Sequence, residues 1–388
     1  MVADCWREFD LAPRKRKLEN AFRHGEVNDA KDVPVIISTG NYFGFGGVPR
    51  PKEYWEEPAV MLRVQSEFMA RHLRGVRDDM VPYFMPWFGT GVLASAFGCE
   101  VKPATGVGDD PAVLGHIVHT PAQAAALAIP DFTCDGLCPK VLRFMTYALE
   151  NGDLPVALTD LNSPLSTLAQ VIGYENLFVW MYDEPAMIHE LMAMFTDAFI
   201  AWVKLQKQLT GEPINAANAL QGVWSPEGTG VWISDDDLVS INAELYSEFV
   251  VPQYKRLFSV FGGGSLHYCG EATRHLKNFN DIGKLTVINN SPMGDENAFA
   301  ELAAGRPAGT MLQIQDNAPA DPESYYDNLF SRINNFRGIM VASWALDNVA
   351  MGSDGGYENV ERSAEAAANQ VVDAVRAAIA KRIGVEAS

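Results

Sequence analysis

The chain has 388 residues, 48% of them hydrophobic, and a formal net charge of −19. That is enough apolar material for one large α/β domain or two ordinary ones. The charge is too acidic for nucleic acid or an anionic membrane to be the main partner, since both reward basic patches. No segment reads as a bilayer span, and the charged start MVADCWREFDLAPRKRKLENAF has no apolar signal core. The five cysteines are few and odd in number, as in a reduced protein, so a cytoplasmic location is expected. Cys134 and Cys138, in TCDGLCP, read as plain loop or core thiols.

Along the chain, short β-branched or apolar runs ending in small or polar residues alternate with helical periodicity. The runs are VPVIIST (33–39), MVPYFMP (80–86), LPVALTD (154–160), INAANALQGVW (214–224), GGGSLHYC (262–269), KLTVINN (284–290), GTMLQIQ (309–315) and GIMVASW (338–344). Between them, PAMIHELMAMFTDAFIAWVKLQKQL (185–209) has apolar residues at helical spacing and starts at a proline. SDDDLVSINAELYSEFVVPQYKRLFSVF (234–261) opens with Ser234 as a cap. Its first-turn acids Asp235, Asp236 and Asp237 are explained by the helix dipole. The segments 321–336 and 359–383 are also helical in pattern, so His189 and His275 fall on helices as surface or packing residues.

Strands alternating with helices imply parallel pairing, and eight of them favour a (β/α)8 barrel over an open sheet. One barrel over residues 1–388 is expected, with 87–153 as an excursion and HIVH (116–119) as a minor strand outside it.

In such a barrel the chemistry gathers at the C-terminal strand ends. Those ends supply Gly40 and Asn41, Met85 and Trp87, Asp160 and Asn162, Gln221 and Trp224, and His267 and Cys269. The remaining ends supply Asn289 and Asn290, Gln313 and Gln315, and Ser343, Trp344 and Asp347. The ring is rich in amides and aromatics and holds no lysine or arginine. It suits a neutral or weakly polar ligand, aromatic ones included, better than a phosphate or polycarboxylate. The aromatics Tyr42, Phe43, Phe45, Trp87, Phe88, Trp224 and Trp232 belong to the ends or long loops, where they either hold such a ligand or cover the core. GGYEN and GFGG lack nucleotide-binding spacing.

Alternation sends His267 and Cys269 of GGGSLHYC to one face and Tyr268 to the other. Imidazole and thiolate could supply two ligands of an open zinc site. Equally, the histidine could bond a neighbour while the cysteine packs as a small apolar residue.

The chain resembles the uroporphyrinogen decarboxylase superfamily, which includes cobamide-dependent methyltransferases. RKRKLENAFRHGEVNDAKDVPVII is similar to that family's opening helix and first strand, and ALTDLNSPLSTLAQVIGYENLFVWMYDEPAMIHELM to its central strand, turn and helices. ISDDDLVSINAELYSEFVVPQYKRLF leading into GGGSLHYCGEATRHL resembles the segment where the methyltransferases carry a zinc-binding His-x-Cys. The resemblance implies a TIM barrel with His267 and Cys269 as metal ligands. Two departures stand out. The decarboxylases carry arginines after strand one to meet substrate carboxylates, whereas STGNYFGFGG has none. The methyltransferases usually add a cysteine near strand eight, whereas IMVASWALDNV places Trp344 there. The third ligand is then a carboxylate, amide or water, with Asp347, Glu271 and Asp160 as candidates.

These readings converge on a methyltransferase component moving a methyl group from a small methylated compound, such as a methoxylated aromatic (an O-demethylation), to a corrinoid on a separate protein. Zinc would be its metal. Asp160, Asn162, His267 and Asp347 are the expected catalytic residues. Asn41, Trp87, Gln221, Trp224, Asn289, Gln315 and Trp344 are expected to line the substrate site. A homodimer is the assembly to look for. The alternatives are a decarboxylase of the same superfamily and a non-catalytic barrel that binds a tetrapyrrole or aromatic.

Overall fold

The computed structural model describes residues 5–39, 51–102, 111–214, 223–292, 295–353 and 356–383. Its strands are β1 (Val35–Ser38), β2 (Val101–Lys102), β3 (Ala112–Val113), β4 (Val231–Ser234), β5 (Gly264–Cys269), β6 (Leu285–Ser291), β7 (Met311–Ile314), β8 (Ile339–Trp344), β9 (Val349–Met351) and β10 (Tyr357–Asn359). Six of these make one parallel sheet in the order β1-β8-β7-β6-β5-β4. Two further staves close the ring through isolated parallel bridges, Phe84 to Val156 and Asn162 to Ser234. The fold is a (β/α)8 barrel.

The closing staves are held by few backbone bonds. Ala157 N–H donates to Phe84 O at 2.7 Å, and Ser234 N–H to Leu161 O at 2.9 Å. Beside β1 one backbone bond, Asp79 N–H to Val35 O at 2.8 Å, is supplemented by side chains: Asp79 Oδ2 accepts from Val35 N–H at 3.0 Å, and Asp78 Oδ2 from Ile37 N–H at 2.9 Å. His72, fully buried on the helix Pro58–Gly75, holds the same Asp78 oxygen at 3.1 Å. Buried carboxylates thus stand in for carbonyls that a regular strand would offer.

The lower end of the barrel is covered by the helix Ala12–Phe22. Arg14 donates to Met80 O at 2.7 Å, and Lys17 pairs with Asp79 at 2.6 Å, both at the start of the second stave. The opposite end, where the strands finish, is the mouth.

Four expectations are corrected. The fourth barrel strand is VWIS at β4, not 214–224; residues 215–222 lie outside those described, and Trp224 sits in irregular backbone. Trp232 is therefore a buried strand residue and not a loop aromatic. The segment 234–261 is not one helix: Ser234 ends β4, a 3-10 turn covers Asp236–Ser240, and Asn242 caps the next helix by accepting from Leu245 N–H at 2.8 Å. HIVH is irregular, and the small hairpin of the excursion pairs β2 with β3 instead.

The fourth correction concerns membranes. The helix Pro185–Thr210 is long and apolar enough, by length and composition, to cross one. Half of its most apolar window is buried, with Phe195, Phe199 and Trp202 fully covered, which is how a core helix packs.

Candidate metal and substrate site

The strand registers decide which side chains share the barrel interior. Paired residues in a parallel ladder point the same way, and the pairs run Asn162–Ser234–His267–Asn289–Gln313 across five neighbouring staves. Tyr268, between His267 and Cys269, packs against Phe279 of the helix layer, so His267 faces inward. The result is a belt of uncharged polar groups around half of the barrel, with one imidazole at its centre.

His267 Nδ1 lies 2.5 Å from Asn289 Oδ1. A carbonyl oxygen only accepts, so Nδ1 is the donor, and in the neutral ring Nε2 keeps its lone pair. That lone pair faces Cys269 Sγ at 3.7 Å and Asp236 Oδ1 at 3.6 Å. The ligand atoms of Asp236, His267 and Cys269 all lie within 4.8 Å of one another. A tetrahedral zinc with bonds of about 2.0–2.3 Å sets its ligand atoms roughly 3.3–3.8 Å apart, and both distances from His267 Nε2 fall in that range. Asn289 supplies what a metal-binding histidine needs behind it, a partner that fixes tautomer and ring orientation. Burial, followed by the negative charge of Asp236, pushes the Cys269 thiol up to about 12 when no cation is present.

The sequence predicts Asp236 as a helix-start acid. Its position two residues past β4, in a βα loop at the mouth, was the signal for another role. Cys269 N–H also donates to its Oδ1 at 2.8 Å, which ties the loop to the end of β5. Among the described residues, none of the three carboxylates expected in the third place joins the cluster. Glu271 Oε1 instead accepts from Thr273 N–H at 2.5 Å, closing its own turn. Asp347 caps the C-terminal helix Ala364–Ile383, accepting from Ala364 N–H at 2.7 Å, so its catalytic assignment is corrected to a helix cap. Asp160 is buried near the end of the third stave.

Directly behind Asp236 lies a buried carboxyl. Asp235 accepts from Ser163 Oγ–H at 2.6 Å and Tyr246 O–H at 2.9 Å, while its own N–H donates to His267 O at 2.8 Å. Burial raises its pKa to about 7 against the lowering pull of the Ser163 hydroxyl. Tyr246 opens a π-helical turn, Tyr246–Val250, a distortion found often at functional sites. Three elements (the Ser163 cap, β4 and β5) therefore meet on the residue next to Asp236.

The other expected site residues are scattered. Trp87 is buried and Trp344 half-buried at the end of β8, while Gln315 N–H donates to Asn290 O at 2.9 Å just beyond β7. Trp224 does not line the mouth. Lys15 of the covering helix lies 5.2 Å over its ring, which places it at the lower end and corrects its assignment to substrate. Gly40, Asn41, Tyr42, Phe43, Phe45 and Gln221 lie outside the described residues. Sequence reasoning also passed over Tyr357, on the β9–β10 hairpin, which accepts from Asn317 Nδ2–H at 2.7 Å. The residue is largely exposed, and partial desolvation raises its phenol above the usual range against the lowering hydrogen bond from Asn317.

Three likenesses to known proteins accompany this geometry. The model of the uroporphyrinogen decarboxylase (URO-D) family matches residues 33–301. The methylated-thiol–coenzyme M methyltransferase of Methanosarcina mazei is 27% identical over 198 residues, 49% of this chain and 47% of that protein. The chain thus spans about half the length of that curated relative. A solved structure, described as a methyltransferase from Methanosarcina mazei, superposes with a TM-score of 0.62 over 96% of this chain and 99% of its own, at 16% identity. That last likeness is one of fold.

Proposed function

We propose a function from the premise that this chain belongs to the uroporphyrinogen decarboxylase family, whose model covers more than half of it: the protein is a metal-dependent methyltransferase. The observation that carries the reading is the Asp236–His267–Cys269 cluster, with the His267 lone pair turned toward the other two ligands. Imidazole, thiolate and carboxylate together suit zinc. A bound ion would act as a Lewis acid on the heteroatom of the substrate or of a thiol.

The chain's own residues would do the rest. Asn289 holds the imidazole as an acceptor toward the cluster, and the Asp235–Tyr246–Ser163 network holds the loop that presents Asp236. The amide-rich belt would receive a small methylated substrate. The acceptor in this reading is a corrinoid on a separate protein. The partial likeness to a methyltransferase acting on methylated thiols supports transfer chemistry, and a methoxylated aromatic remains the donor class we favour because the belt is uncharged. With one soft ligand fewer than His-Cys-Cys, the site should hold metal weakly.

The test is elemental analysis of the wild type and of His267→Ala and Cys269→Ala, alongside a corrinoid methylation assay. Metal is expected in substoichiometric amount, or in full when added, and both variants should lose metal and methyl transfer together. Full activity in the variants would make the pair structural.

A further inference from the structure

Three buried polar atoms inside the barrel have no hydrogen-bond partner among the described residues: Asn289 Nδ2, Gln313 Nε2 and Gln315 Oε1. The three residues are 0%, 1% and 8% exposed. Buried polar atoms are nearly always paired, because an unpaired one forfeits its hydration for nothing. One such atom is an accident of packing; three on neighbouring inward positions call for a common cause.

Their arrangement supplies one. Asn289 and Gln313 are register partners on β6 and β7, so their backbones stand one strand spacing apart, about 4.8 Å. Asn289 Oδ1 is committed to His267, which leaves its Nδ2–H group as the free side of that amide. Two N–H donors therefore sit side by side at the level of His267. Gln315 follows Gln313 by two residues, on the same side and one step nearer the mouth, and offers an acceptor. No lysine or arginine occupies the belt, and the neighbouring charges of Asp236 and Asp316 are negative.

We infer that Asn289 and Gln313 form a paired-donor subsite that grips an acceptor oxygen of an uncharged ligand, with Gln315 accepting from a donor group on its mouthward side. The ligand class is a small neutral carbonyl, hydroxyl or ether compound. A carboxylate of the same shape is disfavoured, because two neutral amides do not offset its charge beside Asp236. The subsite rests on the methyltransferase reading only for its role in turnover; its existence as a binding site does not depend on metal or corrinoid.

The experiment uses metal-free full-length protein, the isosteric pair 4-methoxybenzamide and 4-methoxybenzoate, and the variants Gln313→Met and Gln315→Met. Calorimetry should give at least about tenfold tighter binding of the amide than of the carboxylate, and a similar loss of amide affinity in Gln313→Met. Without ligand, Gln313→Met should melt higher than the wild type by a degree or more, since an apolar side chain of similar volume removes an unmet donor. A lower melting temperature would mean that Gln313 is already paired within the protein, and would overturn the proposal. So would equal binding of the two probes, binding of neither, or unchanged affinity in both variants, the result expected if the amides hold only water. A protein that binds the neutral probe as described yet transfers no methyl group refutes the transferase reading and leaves the subsite standing.

Discussion

Asp235→Asn should free the protein of a pH-dependent penalty. The carboxyl is fully buried, and burial raises its pKa from 3.8 to about 7. A group whose folded pKa is raised contributes most below its unfolded pKa, and that contribution disappears as pH climbs through the folded value. Holding a carboxyl neutral to about pH 7 corresponds to about 4 kcal/mol between the two limits, of which about 2 kcal/mol falls between pH 5.5 and 8. Asparagine keeps the shape and cannot ionise. Ser163 and Tyr246 can turn their hydroxyls to meet its amide. Urea unfolding of the metal-free wild type and variant at pH 5.5 and 8 reads the difference directly. The variant should gain on the wild type by about 2 kcal/mol across that interval. A stability difference that does not change with pH would refute the argument, because it would mean that Asp235 is already ionised in the folded protein at pH 5.5.

Asp236→Ala should weaken zinc binding at least as much as the loss of an outer-shell partner does, about 10–100-fold, as read by chelator competition; unchanged affinity would remove Asp236 from the ligand set. Asp347→Ala should cost about 1 kcal/mol of unfolding free energy, the usual value of a helix cap, and leave methyl transfer unchanged, which a paired melting and activity measurement decides. Incubation with uroporphyrinogen should yield no coproporphyrinogen at a working enzyme's rate, because STGNYFGFGG offers no arginine to meet the substrate's carboxylates.

The barrel was legible because its strands are buried on both faces, so seven of them announce themselves as apolar runs with polar ends. The fourth did not, since VWIS is four residues long between a glycine and three aspartates, and the longer apolar run 214–224 outweighs it. His267 and Cys269 were legible as a pair through strand alternation alone. Asp236 was not. Three consecutive aspartates have one sequence explanation at a helix start, and the structure divides them: Asp235 buried under hydroxyls, Asp236 at the cluster, and Asp237 held above the usual carboxylate range by desolvation. Asp347 and Trp224 were misplaced for a similar reason. Nearness to a strand end in sequence does not say whether a side chain turns toward the mouth, caps a helix or lies under the barrel.

The carboxylates of Asp78 and Asp79 that stand beside β1 make the ring unequal. From β4 round to β1 the barrel is a continuous ladder, whereas the next two staves hang on isolated bridges, on the single backbone bond from Asp79 N–H to Val35 O and on those two side chains. Local opening starts where backbone bonds are fewest, so solvent should reach the amides of this seam well before it reaches those of β5 or β6. The chain segment 87–153 leaves the barrel between those same two staves. The molecule thus behaves less like a uniform hoop than like a bracelet with a clasp, and a long ornament hangs at the clasp.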